Sequence, residues 1–314
     1  DNRRSRGLGD VYKRQAKILT FNNNEAKFGF ADSLISTEIL TNRLLRDNNG
    51  WYHLMVVLDT AQGTASDRVK LYINGVRETS FSTANYPSQN AGGLINYVGG
   101  SYRHNIGSYN NGSSNFFNGC MSHVHFSDGT ALAPTVFGET DSTTGEWKIK
   151  TDPTFTPGTN GFTILKDGNT ITDQSANSNS WTLGAGAVTK TEDCPSNVFA
   201  TMNPLNIPTS NAPTFSNGNT TTVTSTSGSG KWGGSSNLGM VSGKFYIEAK
   251  ATVDSQYSRN VLGITGDATN MARGNGSPLG SDQNSSGWYS ENGQVNWNNS
   301  AQYTASTYGL SLIH

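Results

Sequence analysis

The stretch Val69-Lys-Leu-Tyr-Ile-Asn-Gly-Val-Arg-Glu-Thr-Ser-Phe81 alternates its side chains around an Asn74-Gly75 pair. A period of two places Val69, Leu71 and Ile73 on one face of a strand. Asn-Gly readily supplies the two left-handed residues of a type I′ turn. The stretch therefore predicts an antiparallel hairpin with one apolar face, and such a face has to be covered by a second layer. Ahead of it, Trp51-Tyr-His-Leu-Met-Val-Val-Leu58 is short and β-branched enough to predict a strand buried on both sides. After it, Phe117-Asn-Gly-Cys-Met-Ser-His-Val-His-Phe126 predicts a further strand, ended by an Asp128-Gly129 turn. Ala31 to Arg46 shows only a weak helical pattern and reads as strand and loop.

Composition agrees with an all-β chain. Charged residues make up 14%, against about a quarter in an ordinary globular protein. Gly, Asn, Ser and Thr fill the spaces between short apolar runs, as expected of many strands joined by many turns. A formal net charge of -1 gives the whole chain no basic character, so neither nucleic acid nor an anionic membrane is expected as a partner. No apolar run approaches the roughly 20 residues that cross a bilayer, so no membrane insertion is expected. Cys120 and Cys194 are too few for a disulfide framework and lack metal-site spacing, leaving one bridge or two thiols as the readings.

The two ends stand apart. Asp10 to Gln15 and Leu310 to His314 read as translations, in opposite directions, of one DNA stretch. That stretch resembles the transposon mosaic end used to tag DNA for sequencing, and Ser5 to Gly9 fits the adaptor that precedes it. Residues 1–15 and 310–314 are accordingly expected to be adaptor-derived, with 16–309 an internal fragment. Arg3, Arg4, Arg6, Lys13 and Arg14 fall in the first of these stretches, which leaves the remainder mildly acidic.

Several motifs follow one another in a recognisable order: Gly50-Trp-Tyr-His-Leu-Met-Val-Val-Leu-Asp59, Val69-Lys-Leu-Tyr-Ile-Asn-Gly75, Ile106-Gly-Ser, Phe117-Asn-Gly, and His123-Val-His-Phe-Ser-Asp-Gly-Thr-Ala-Leu132. Together they resemble a laminin G-like domain of the concanavalin A-like lectin/glucanase superfamily. The resemblance implies an antiparallel jelly-roll β-sandwich over 16–138, with its first strands upstream of Ala16. Residues 139–212 read as a connector with short hairpins, including the strand Phe162-Thr-Ile-Leu165. Gly230-Lys-Trp, Gly243-Lys-Phe-Tyr-Ile-Glu-Ala-Lys250, Val261-Leu-Gly-Ile264, Gly287-Trp-Tyr-Ser-Glu-Asn-Gly293 and Val295 to Trp297 resemble the opening strands of a SPRY-type β-sandwich. That second sandwich is expected over 213–309, cut at its C-terminal side. The module order resembles virion-associated proteins of marine bacteriophages, implying a virion or extracellular location.

A glucanase of this superfamily would carry Glu-x-Asp-x-x-Glu on one strand face, because retaining hydrolysis needs two carboxyl groups about 5 Å apart. The sequence has no such cluster, and Glu139 and Asp141 lie in a Ser/Thr/Gly-rich turn. No catalytic residue, and no enzyme, is expected. Sugar binding asks for amides to meet hydroxyls and for an aromatic face to meet C–H groups. The loop-rich stretch Ser101 to Phe117 offers Tyr102, His104, Asn105, Tyr109, Asn110 and Asn111. These are the candidate carbohydrate-binding residues, with a long polar hairpin lacking any ligand as the other reading. His123 and His125, two apart on one expected strand, could share a metal or a sugar, or stand as two polar residues on a solvated face.

The laminin G-like resemblance further implies calcium at the sandwich rim, for which Asp59 and Asp128 are the candidate metal ligands. Each is also explained without metal, as a strand-end or Asp-Gly turn residue. No other cofactor is expected. Trp51, Trp147, Trp181 and Trp297 are expected as core or interface anchors. The function expected is non-enzymatic adhesion or virion structure, the jelly-roll module contacting surface glycan or a neighbouring virion subunit. An architectural module without ligand is the alternative, and a glucan hydrolase a further one.

Overall fold

A computed structural model describes residues 16–22, 25–47, 50–96, 104–108, 116–166, 170–184, 186–207, 212–223, 233–239, 242–250, 261–266, 279–289 and 293–304. Its regular structure is almost all antiparallel β-sheet, the class expected from the turn-rich composition. The chain divides between Val198 and Phe199 into two compact units.

In the first unit, β1 (Ala16–Asn22), β2 (Glu25–Asp32) and β3 (Thr37–Leu44) form a meander. β4 (Leu54–Leu58), a one-turn helix at Ala65–Arg68, β5 (Val69–Ile73), β6 (Val76–Arg77) and β7 (Phe81–Asn85) follow. One sheet has the order β1-β2-β3-β7 and the other β4-β5-β6. Phe28, Phe30, Ile39 and Leu45 from the first side pack with Val69, Leu71 and Ile73 from the second in one buried cluster. Two sheets closing on a shared apolar layer make a β-sandwich, as a one-sided apolar hairpin requires.

The Asn-Gly hairpin has the expected form. Asn74 and Gly75 have φ of 50° and 75°, the positive pair of a type I′ turn. Val69, Leu71 and Ile73 are buried while Lys70 and Tyr72 between them are only half-buried. Leu54, Val56 and Leu58 of β4 pack on the core cluster, and Val57, pointing the opposite way along the same strand, is also buried. The run is a strand as expected, but Val57 alone in it is buried and the other residues are half-buried, short of the two-sided burial expected. Over Gly75 lies the Trp147 ring, where an added Cβ would collide with it. Gly75→Ala is therefore expected to cost about 2 kcal/mol, through positive-φ strain together with that clash. Urea unfolding followed by tryptophan emission measures it.

Two buried polar groups deal with breaks in the sheet. The register of β2 against β3 shifts between Lys27 and Gly29, which takes Phe28 out of the ladder. Buried Thr41 replaces the missing pairing: its Oγ1 accepts from Phe28 N at 3.2 Å and lies 3.0 Å from Phe28 O as a donor. Asp32, fully buried, accepts from Leu34 N at 2.9 Å and Leu94 N at 2.6 Å, pinning two loops to the end of β2.

Residues 139–198, expected as part of a connector, fold onto the first unit. β8 (Val124–Phe126) pairs with β11 (Phe162–Ile164), and β9 (Gly138–Thr140) makes a hairpin with β10 (Trp147–Ile149). Trp51 Nε1 donates to Asp193 Oδ2 at 2.9 Å. Pairing partners and half-buried indole contacts far apart in sequence account for this integration, which a reading of local composition does not register. The expected strand from Phe117 to Phe126 is short, confined to Val124–Phe126.

The second unit holds the hairpin β12 (Thr214–Ser216) and β13 (Thr221–Val223). It also holds a meander of β14 (Val261–Thr265), β15 (Ser285–Tyr289), β16 (Gln294–Trp297) and β17 (Ser300–Thr304). Ser285, Gly287 and Tyr289 are buried on one face of β15, and Tyr289 OH donates to Leu279 O at 2.8 Å. Gly243 to Lys250, expected as a strand, is not one: Phe245, Tyr246 and Ile247 are exposed. Gly230-Lys-Trp lies outside the described residues.

Candidate functional site

Of the candidate sugar-binding residues, Tyr102, Tyr109, Asn110 and Asn111 lie outside the described residues. His104 is exposed and Asn105 half-buried. The flanks of this stretch meet where Phe117 N donates to Gly107 O at 2.7 Å. His104 and Asn105 thus precede this backbone contact in the chain, and Phe116 beside Phe117 is exposed.

The two candidate calcium ligands hold loops instead. Asp59 accepts from Ala61 N at 3.1 Å and Gln62 Nε2 at 2.6 Å. Asp128 accepts from Asn96 Nδ2 at 2.8 Å, Asn160 Nδ2 at 3.0 Å and Asn160 N at 3.3 Å. Calcium takes six to eight oxygen ligands, whereas these carboxylates are met by N–H donors, so the residues present do not fit that ion. Among the described residues no group of three or more His, Cys, Asp or Glu side chains is placed to hold a metal. Cys120 and Cys194 are both free thiols.

His123 and His125 do come together, with ring centroids 6.3 Å apart. His123 nevertheless has a φ of 51° and precedes β8, so the pair does not share a regular strand face. His125 stacks on Phe137 at 5.4 Å, meets the Phe155 edge at 5.7 Å, and shares a 3.0 Å hydrogen bond with Thr163 Oγ1. Burial pushes its pKa down to about 4, helped by the charges of His123, His53 and Lys166. His53, just ahead of β4, joins the group: it stacks with Trp147 at 5.8 Å, accepts from Trp147 Nε1 at 3.0 Å, and is lowered in pKa by burial. The aromatic surroundings of His125 thus disfavour its charged form. Of the expected anchors, Trp51, Trp147 and Trp181 are half-buried and Trp297 is exposed.

A cleft of about 260 Å3 opens beside the hairpin. Buried Val69 and Glu78 line it, Phe81 and Tyr86 supply partly exposed rings, and Ser66, Arg77 and Thr79 complete the lining. The Glu78 side chain is 5% exposed. Arg43 Nε lies 2.9 Å from its Oε1, which pairs the buried carboxylate with a cation. Arg77 is held by Ser66 O and Asp67 Oδ1, both at 2.9 Å. Sequence reasoning passed over Glu78, although the signal was present. A two-residue turn at Asn74-Gly75 sets Ile73 against Val76 and Tyr72 against Arg77. The next pair is Leu71 with Glu78, joined by Glu78 N to Leu71 O at 2.8 Å, which puts a carboxylate on the core-facing side of the hairpin.

The two sheets and the core they share define a β-sandwich module. Residues 10–137 match the family model described as Concanavalin A-like lectin/glucanases superfamily, and that stretch is a domain of this superfamily. The match opens at Asp10 and closes at Phe137, just short of the boundary expected at 138. No curated protein and no solved structure matches the chain.

Proposed function

We propose that the chain is a non-enzymatic glycan-binding protein whose concanavalin A-like domain contacts surface polysaccharide, displayed on a virion or another extracellular particle. The observation that carries the reading is the superfamily match across the sandwich, since lectins form one branch of that superfamily. A lack of catalysis is supported by the missing Glu-x-Asp-x-x-Glu cluster. The virion setting is supported by the order of the modules, and the SPRY-like reading of residues 213–309 by the antiparallel meander β14-β15-β16-β17. Mechanistically, one sandwich site binds modestly, and many copies on a particle raise the effective affinity by avidity.

An array of bacterial and algal oligosaccharides, probed with the intact chain coupled to beads, tests this. Selective signal on a structurally related subset is the expected result. A flat response across the array would favour the purely architectural role.

A further inference from the structure

We propose that the Asn118-Gly119 step is a site of spontaneous deamidation, and that the product loosens the base of the Ser101 to Phe117 loop. The modification is independent of what the chain binds.

The reaction needs an asparagine side chain that is free to turn and a following amide within its reach, which glycine, lacking a Cβ, obstructs least. Among the described residues asparagine precedes glycine at Asn74, Asn118, Asn160 and Asn217, while Asn49, Asn111, Asn275 and Asn292 do so outside them. Three of the described four are held. Asn74 Oδ1 accepts from His53 N at 2.9 Å, Asn74 N donates to His53 O at 2.9 Å, and the Trp147 ring covers Gly75. Asn160 Nδ2 donates to Asp128 Oδ2 at 3.0 Å, and the Gly161 carbonyl accepts from the Asn177 and Asn179 side-chain amides at 2.9 and 3.0 Å. Asn217 is half-buried in the turn between β12 and β13, with a φ of 55° and its carbonyl taken by Thr220 Oγ1 at 2.7 Å. Asn118 differs in each respect. Asn118, Gly119 and Cys120 are exposed and lie outside any strand or helix. Among the described residues no hydrogen bond holds the Asn118 side chain or the Gly119 amide.

Water is the only co-reactant. The Gly119 nitrogen attacks Asn118 Cγ, the new N–Cγ bond replaces the Cγ–Nδ2 bond, and ammonia leaves with the proton that the Gly119 amide gives up. Water then opens the cyclic imide, leaving aspartate where it adds at Cγ and isoaspartate where it adds at the main-chain carbonyl. Both products carry a carboxylate that is ionised at neutral pH, and isoaspartate also lengthens the main chain by a methylene. The change falls next to a closing contact. Phe117 N donates to Gly107 O at 2.7 Å, and the far end of the Phe117 ring lies 2.9 Å from where a Cβ would stand on Gly119. Moving Gly119 away from the ring removes packing from Phe117, so its bond to Gly107 opens more often.

The test incubates the intact chain at neutral pH in heavy-oxygen water, once folded and once in urea, and maps peptic peptides by mass spectrometry. In the folded chain Asn118 is expected to take up the label, as aspartate and isoaspartate, about tenfold faster than Asn74 and Asn160, and in urea that difference should close. Gly119→Ala is expected to slow labelling at Asn118 by about tenfold, because the added methyl group hinders the attack and raises its barrier. The deamidated fraction, separated by ion exchange, is expected to exchange the Phe117 amide faster than the parent chain. Equal labelling rates at Asn118, Asn74 and Asn160 in the folded chain, or an Asn118 amide that outlasts the other two, overturn the site. Labelling at Asn118 with unchanged exchange at Phe117 overturns the loosening alone.

Discussion

Leu71→Ala is expected to lower the stability of the first unit by about 3–4 kcal/mol, the lost transfer energy of the side chain plus a cavity that its neighbours cannot close. Leu71 is fully buried in β5, opposite Val56 of β4, in the cluster that also holds Phe28 and Phe30. The sandwich account rests on this layer: if the two sheets share one core, a hole at its centre weakens amides on both sides. Native-state hydrogen exchange at the amides of β3 and β5 reads the change, with Val76→Ala, exposed on the same hairpin, as a control shifting by less than about 0.5 kcal/mol. Loss of protection in β5 alone, with β3 unchanged, would mean that the sheets do not form one cooperative layer.

The second large effect is a dependence on pH. The folded-state pKa of His125 is depressed from 6.5 to about 4, so the fold accepts the neutral ring and resists the charged one. Above pH 6.5 this group adds no penalty. As the pH falls from 6.5 towards 4 the unfolded chain takes up a proton that the folded one refuses, and stability drops by about 3 kcal/mol before levelling off. The groups facing His125 are Thr163 Oγ1, the Phe137 and Phe155 rings, and the charges of His123, His53 and Lys166. Burial lowers the pKa of His53 too, so it adds to the slope with the same sign. Urea midpoints recorded at intervals from pH 7 to pH 4 should fall steadily for the parent chain. In His125→Gln most of that slope should disappear. A parent chain equally stable at pH 7 and pH 4 would show that His125 is not held neutral in its aromatic surroundings.

How much of this was legible in the sequence depended on whether a feature is local. The type I′ turn and the inward set Val69, Leu71 and Ile73 follow from side-chain period and turn chemistry, both properties of neighbouring residues, while Ala31 to Arg46, read only as strand and loop, holds the end of β2, a turn and β3. The bulge at Phe28 and its repair by Thr41 are invisible locally, because a hydroxyl thirteen residues away replaces the ladder. The same holds for the docking of residues 139–198, where Trp147 meets His53 and Trp51 meets Asp193 across long stretches of chain. Gly243 to Lys250 carries the strand-favouring run Phe245-Tyr-Ile247 but has no ladder partner among the described residues, a reminder that composition sets a propensity and pairing sets the strand.

The site followed the same rule. Polar and aromatic residues crowd the Ser101 to Phe117 loop, which makes it conspicuous in a composition-based search. Glu78 looks like an ordinary hairpin residue until the turn register is counted back to Leu71. His53 is similar: its position beside Trp147 and His125 depends on how β4 and β10 are placed, and nothing in the sequence near it says so.

Whether the chain holds a polysaccharide without cutting it is the most direct question. The measurement is to incubate the intact chain with the polymer that carries the array's best-bound oligosaccharide, recording retained protein and newly formed reducing ends in the same tubes. The account predicts saturable retention with reducing ends at the level of the blank. Release of reducing ends above the blank, or no retention on any polymer, would contradict it.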